Sequence, residues 1–226
     1  MRRPSEVVYN VDNMIVTARR LHAGIQSMVA LTLGLLAFGW YLAPRVMPLM
    51  PAAVFLAYAL FARITLTRPA LGARVPVIAC ATGIMASAVF VPALWIEYAG
   101  RTANNGWLFG SIVALWAVAG WLAASQSGRV GDAIVASTLS AMITSVAVVI
   151  AVLAPYYLLR GTPLQDVFFR TEGTYDDFAR SGVADFNTWV IEDMFGGAFM
   201  HSAFGAVVGA VLGAMTGGVT VLLRRG

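Results

Sequence analysis

Few side chains in this chain can do chemistry, so the positions of those that can carry weight. The 226 residues include two histidines and one cysteine, and every one of the 15 basic residues is an arginine. Without lysine there is no Schiff base and no phosphate-loop lysine. A lone Cys80 excludes an intramolecular disulfide and a cysteine metal cluster. What remains is His201, set deep in the last apolar stretch, with Glu192 and Asp193 rather more than two helical turns before it. An imidazole in such a place can ligate an ion or cofactor, pass a proton or hydrogen-bond a neighbouring helix, and intramembrane ionisable groups are candidates for function. His201, Asp193 and Glu192 are therefore the candidate ligand or cofactor residues. Glu97, closing the third apolar stretch, joins Asp193 and His201 along an expected outer vestibule.

Other chemistries lack their residues. Asp176 and Asp177 are adjacent, so their side chains diverge, and no EF-hand spacing surrounds them; no metal site is assigned. His201 followed by glycines on a sixth span, with Ser111 on a fourth, resembles rhomboid-like intramembrane proteases. However, Phe109–Gly110–Ser111–Ile112 departs from their Gly-x-Ser-Gly, and Gly205 and Gly209 each come one residue later than that family's spacing. No catalytic residue follows from it. Gly197, one turn before His201, resembles the small residue of antenna chlorophyll sites, which would imply pigment ligation by His201; no cofactor is otherwise indicated. A haem held by both histidines is excluded, because His22 belongs at the far end of the first span, most of a ~30 Å hydrocarbon core away. Neither a His-Glu-x-x-His, a Walker loop nor a dinucleotide fingerprint occurs.

The elements that position these residues are apolar helices. Hydrophobic residues make up 59% of the chain and charged ones only 12%, against about 25% charge in soluble domains. Six stretches reach the ~20 residues needed to cross a bilayer; we place them at 23–43, 47–66, 75–96, 106–124, 133–158 and 195–223. The expected fold is an all-α integral membrane protein, one six-helix bundle domain over residues 1–226. With the N-terminus inside, ten arginines (2, 3, 19, 20, 63, 68, 74, 129, 224, 225) are cytoplasmic and five (45, 101, 160, 170, 180) external. That asymmetry puts both termini in the cytoplasm of a multi-pass cell inner-membrane protein. The scatter of these arginines between spans also accounts for the basic pI without a nucleic-acid partner. Residues 1–22 show helical periodicity, with Val7, Val8, Val11, Met14 and Ile15 opposite Glu6, Asn10 and Asn13, and are expected to form a cytoplasmic amphipathic lead-in. Residues 159–194 form the one long loop, acidic and external, and its aromatic anchors predict a folded cap with one or two short helices. Asn187 is the expected N-cap of the last helix.

Small residues predict where the helices meet. Gly197, Gly205, Gly209, Gly213 and Gly217 recur every fourth residue, with His201 in the one gap, and Ala133, Ser137, Ala141 and Ser145 repeat at the same interval in the fifth span. Matching small faces allow close backbone approach in a membrane. A period of four outruns 3.6, drifting about 40° per step. Gly205 to Gly213 are thus expected on the fifth span, and Gly197 with His201 toward another neighbour. The first function class is a non-catalytic accessory or assembly subunit of a larger membrane complex, partnered by lipid and by other subunits or copies of itself. The alternative is a small oligomeric transporter or channel whose outer vestibule lies near Asp193 and His201, and an intramembrane enzyme comes third.

Overall fold

The computed structural model describes residues 4–68, 71–72, 74–101 and 105–224, with side chains over 20–68, 71–72, 74–101 and 106–224. Its described residues form helices and no strands: α1 (Pro4–Leu42), α2 (Leu49–Leu66), α3 (Val75–Tyr98), α4 (Asn105–Ser127), α5 (Val130–Leu158), α6 (Pro163–Thr171), α7 (Thr174–Ser181) and α8 (Phe186–Leu223). Six of them are long and apolar enough to cross a membrane: Arg20–Leu42 within α1, then α2, α3, Gly106–Ser127 within α4, α5 and α8. The lead-in and the first span are one continuous helix; the amphipathic face of residues 7–18 lies outside the described side chains.

α5 is the axis of the molecule. Its most extensive contacts are with α8, followed by α3 and α4, and most of its spanning window is buried. A helix surrounded on all sides can offer its neighbours only small or hydrogen-bonded groups, and α5 does both. Ser137 Oγ donates to Trp116 O of α4 at 2.8 Å, and Trp116 Nε1 donates to Thr144 Oγ1 at 3.1 Å. From α3, Thr82 Oγ1 donates to Ser140 Oγ at 3.0 Å. Trp116 is 8% exposed inside the bundle, where Thr144 satisfies its indole N–H.

Against α8 the small residues interlock. A Cβ added to Gly205 would lie 2.8 Å from Ser145 Oγ, one on Gly209 would lie 2.9 Å from Ala141 Cβ and 3.0 Å from Ser137 O, and one on Gly217 would lie 2.7 Å from Ala133 Cβ. At Gly213 the obstacles are backbone: Ile134 Cα at 2.6 Å and Ala133 O at 2.7 Å. α1 and α2 lie to one side, tied by Gln26 Nε2 donating to Ala59 O at 3.0 Å and by the Tyr58 hydroxyl donating to Ser202 O of α8.

The last helix departs from expectation at its start. α8 begins at Phe186, so the final nine residues of the expected loop are its opening turns. The N-cap is Asp185, whose carboxylate accepts from Thr188 N at 2.8 Å, and Asn187 lies inside the first turn. Hydropathy missed these turns because Asn187, Glu192 and Asp193 dilute it. Phe186 and Trp189 hold them in place by packing on Phe178, at ring-centroid distances of 5.1 and 5.7 Å. At 1.5 Å per residue the 38-residue helix is about 57 Å long, well beyond a ~30 Å hydrocarbon core. The surplus meets α6 and α7. Thr162 caps α6 by accepting from Gln165 N, Gly173 turns the chain at φ +73°, and Phe168 stacks on Tyr98 of α3 at 4.3 Å.

Candidate functional site

Where α6 and α7 fold over the ends of α3, α5 and α8, a cavity of about 370 Å³ remains. Phe90, Leu94 and Glu97 reach it from one face of α3, spaced four and three residues apart as a helical face requires. Val148, Val149, Val152 and Leu153 of α5 make an apolar wall, and Phe168, Glu172 and Asp177 come from the cap. α8 contributes Trp189 and the stripe Asp193, Gly197 and His201. Gly197 differs from the glycines below it, since a Cβ there would meet nothing within 4 Å. Its missing side chain leaves space rather than admitting a neighbouring helix.

The polar groups around this space have different situations. His201 Nδ1 lies 2.9 Å from Gly197 O. A carbonyl can only accept, so Nδ1 carries a proton and donates it to Gly197 O. The imidazole also stacks on Phe109 of α4, with centroids 6.4 Å apart and planes 27° from parallel. Glu97 is 7% exposed and its carboxylate forms no hydrogen bond or ion pair with any described residue. Glu172, across the cavity, is close enough to act on it electrostatically, and burial pushes the Glu172 carboxyl above the ordinary carboxylate range. Asp177 is ion-paired to Arg180. Asp193 and Glu172, like Glu97, have no such partner among the described residues. No arginine lines the cavity.

Of the residues singled out from sequence, His201, Asp193, Gly197 and Glu97 share the cavity. Glu192 does not: both it and Asp193 are exposed on α8, but only Asp193 lies on the face that lines the cavity. Glu172, Asp177, Phe168 and Trp189 were not picked out as site residues, although Phe168 and Glu172 stand one helical turn apart. Among the described residues, no group of three or more His, Cys, Asp or Glu side chains could hold a metal ion. Below His201 the cavity ends where Gly205 meets Ser145 and Trp116.

The six apolar helices and their helical cap define a multi-pass, all-helical membrane protein. Compared with known proteins, the chain matches no family model, no curated protein and no solved structure.

Proposed function

We propose that this protein binds a small ligand in the cavity beneath α6 and α7, which serves as the outer vestibule of a transport or sensing device. The observation that carries this reading is a space of about 370 Å³ lined from α3 by Glu97, a residue only 7% exposed whose carboxylate has no partner among the described residues. An isolated carboxylate is costly to bury, and native structures rarely leave one without a compensating group. Gathering Glu97, Asp193 and His201 around one space favours the vestibule over an accessory subunit. The arginine asymmetry supports an external cap with both termini in the cytoplasm of a cell inner-membrane protein. The small-residue contacts of α5 and α8 act as a seam that holds the cavity floor shut.

The test uses the space at Gly197. A Cβ at Gly197 would meet nothing within 4 Å and the residue lines the cavity, so Gly197→Trp should place its indole in that space and block binding. Thermal unfolding in mild detergent against a panel of neutral, cationic and anionic amphiphiles should show ligands that stabilise wild type and leave Gly197→Trp unmoved. A panel that moves both proteins equally would refute the reading. Pigment ligation by His201 is read in the same preparation, as visible absorbance lost in His201→Ala.

A further inference from the structure

Resting on that reading, we infer that the ligand is an organic cation with apolar substituents, of the tertiary or quaternary ammonium class, held by Glu97 against the aromatic wall. Three carboxylates facing the cavity, Glu97, Glu172 and Asp193, have no hydrogen-bonding or ionic partner among the described residues, while Asp177 is already neutralised by Arg180. Among the described residues no arginine lines the space, and the chain has no lysine, so neither strong base compensates these carboxylates there. Glu97 is the deepest of the three at 7% exposed, which makes its compensation the most valuable.

The rest of the lining selects the kind of cation. Phe90, Phe168 and Trp189 are among the lining residues, aromatic rings attract weakly hydrated ammonium groups, and the valines of α5 make one wall apolar. A divalent metal would need four to eight close ligands, and no cluster of three candidate side chains exists among the described residues. A strongly hydrated inorganic ion would gain nothing from the aromatic and aliphatic walls. The shared chemistry, a cationic nitrogen beside apolar groups, occurs both in soluble amines and in the headgroups of outer-leaflet amphiphiles.

Tetraphenylphosphonium and tetraphenylborate match in size and apolar surface but differ in sign. Their binding to the full chain in an uncharged detergent, followed by tryptophan fluorescence and calorimetry, tests the inference. We expect the phosphonium to bind at least about tenfold more tightly than the borate, Glu97→Gln to lose about that factor, and Gly197→Trp to bind neither. Glu97→Gln removes an uncompensated charge while keeping the side chain's shape, so its melting temperature should equal or exceed that of wild type. Competition by benzyltrimethylammonium would support a soluble ligand, and competition only by dodecyltrimethylammonium would support a lipid-like one; either supports the cation. Equal binding of phosphonium and borate, both blocked by Gly197→Trp, would overturn the cation while leaving the cavity as the ligand site. Binding of neither, or binding that Gly197→Trp leaves intact, would overturn both.

Discussion

Gly213→Ala should damage this protein far more than Gly218→Ala, five residues along the same helix. The new Cβ at Gly213 would sit 2.6 Å from Ile134 Cα and 2.7 Å from Ala133 O. Carbon contacts are comfortable near 3.5–4.0 Å, so α5 and α8 must part by about 1 Å. Both obstacles are backbone, and a rotamer change cannot relieve them. A gap of that size forfeits roughly a quarter to a half of each dispersion contact along the seam, and overpacking of this kind costs about 1–3 kcal/mol. The cost spreads, because Gly120 of α4 meets Gly213 at the same place, with its own added Cβ 3.1 Å from Gly213 Cα. At Gly218 a Cβ meets nothing within 4 Å. Alanine there gains up to about 1 kcal/mol of helix propensity in water, and less in a bilayer, where the unfolded spans remain helical. The two variants should thus differ by about 1–4 kcal/mol. Unfolding by a denaturing detergent in mixed micelles, followed by circular dichroism, measures the difference. Stabilities within about 0.5 kcal/mol of each other would refute the close-packed seam as the source of bundle stability.

Three further outcomes follow from the same geometry. Gly209→Leu should destabilise the bundle more than Val208→Leu, because a Cβ added at Gly209 would lie 2.9 Å from Ala141 Cβ and 3.0 Å from Ser137 O; equal melting temperatures would contradict this. The raised pKa of Glu172 means that protonation favours the fold: its contribution is full below the unfolded value near 4.3 and is lost as pH rises through the folded one. Glu172→Gln should therefore gain on wild type in melting temperature as pH rises above about 4, and a difference independent of pH would rule the linkage out. Asp166 runs the other way, because the Tyr175 hydroxyl and Arg170 hold its carboxyl below the usual range. Its contribution is present above the unfolded value near 3.9 and lost as pH falls through the folded one. Asp166→Asn should loosen the cap at neutral pH and match wild type in strong acid, as read by hydrogen exchange of α6 and α7; a gap persisting in acid would refute the assignment.

Much of this architecture is legible in hydropathy, because a helix in lipid must be apolar for most of its length. Five of the six spanning helices lie within four residues of their expected limits, from Leu49–Leu66 to Val130–Leu158. The exception, the start of α8, shows where the signal stops. Once a helix leaves hydrocarbon its polar residues no longer distinguish it from a loop, and the aromatic packing of Phe186 and Trp189 on Phe178 is tertiary. The same reason divides the site. Asp193, Gly197 and His201 share a stripe that helical spacing alone makes visible, and Glu97 stands at the same end of its span. Glu172 and Phe168 reach the cavity only because α6 turns back over the bundle, which periodicity cannot express.

The most direct test of the vestibule is chemical access to Gly197. With Cys80 replaced by serine, a cysteine at Gly197 should react with a membrane-impermeant thiol reagent applied from outside, and be protected by any ligand that stabilises wild type. A cysteine at Gln126, at the opposite end of the bundle on α4, should react only after the membrane is permeabilised. A Gly197 cysteine that stays inert from outside, or reacts only once the inside is opened, would contradict an outward-facing ligand cavity.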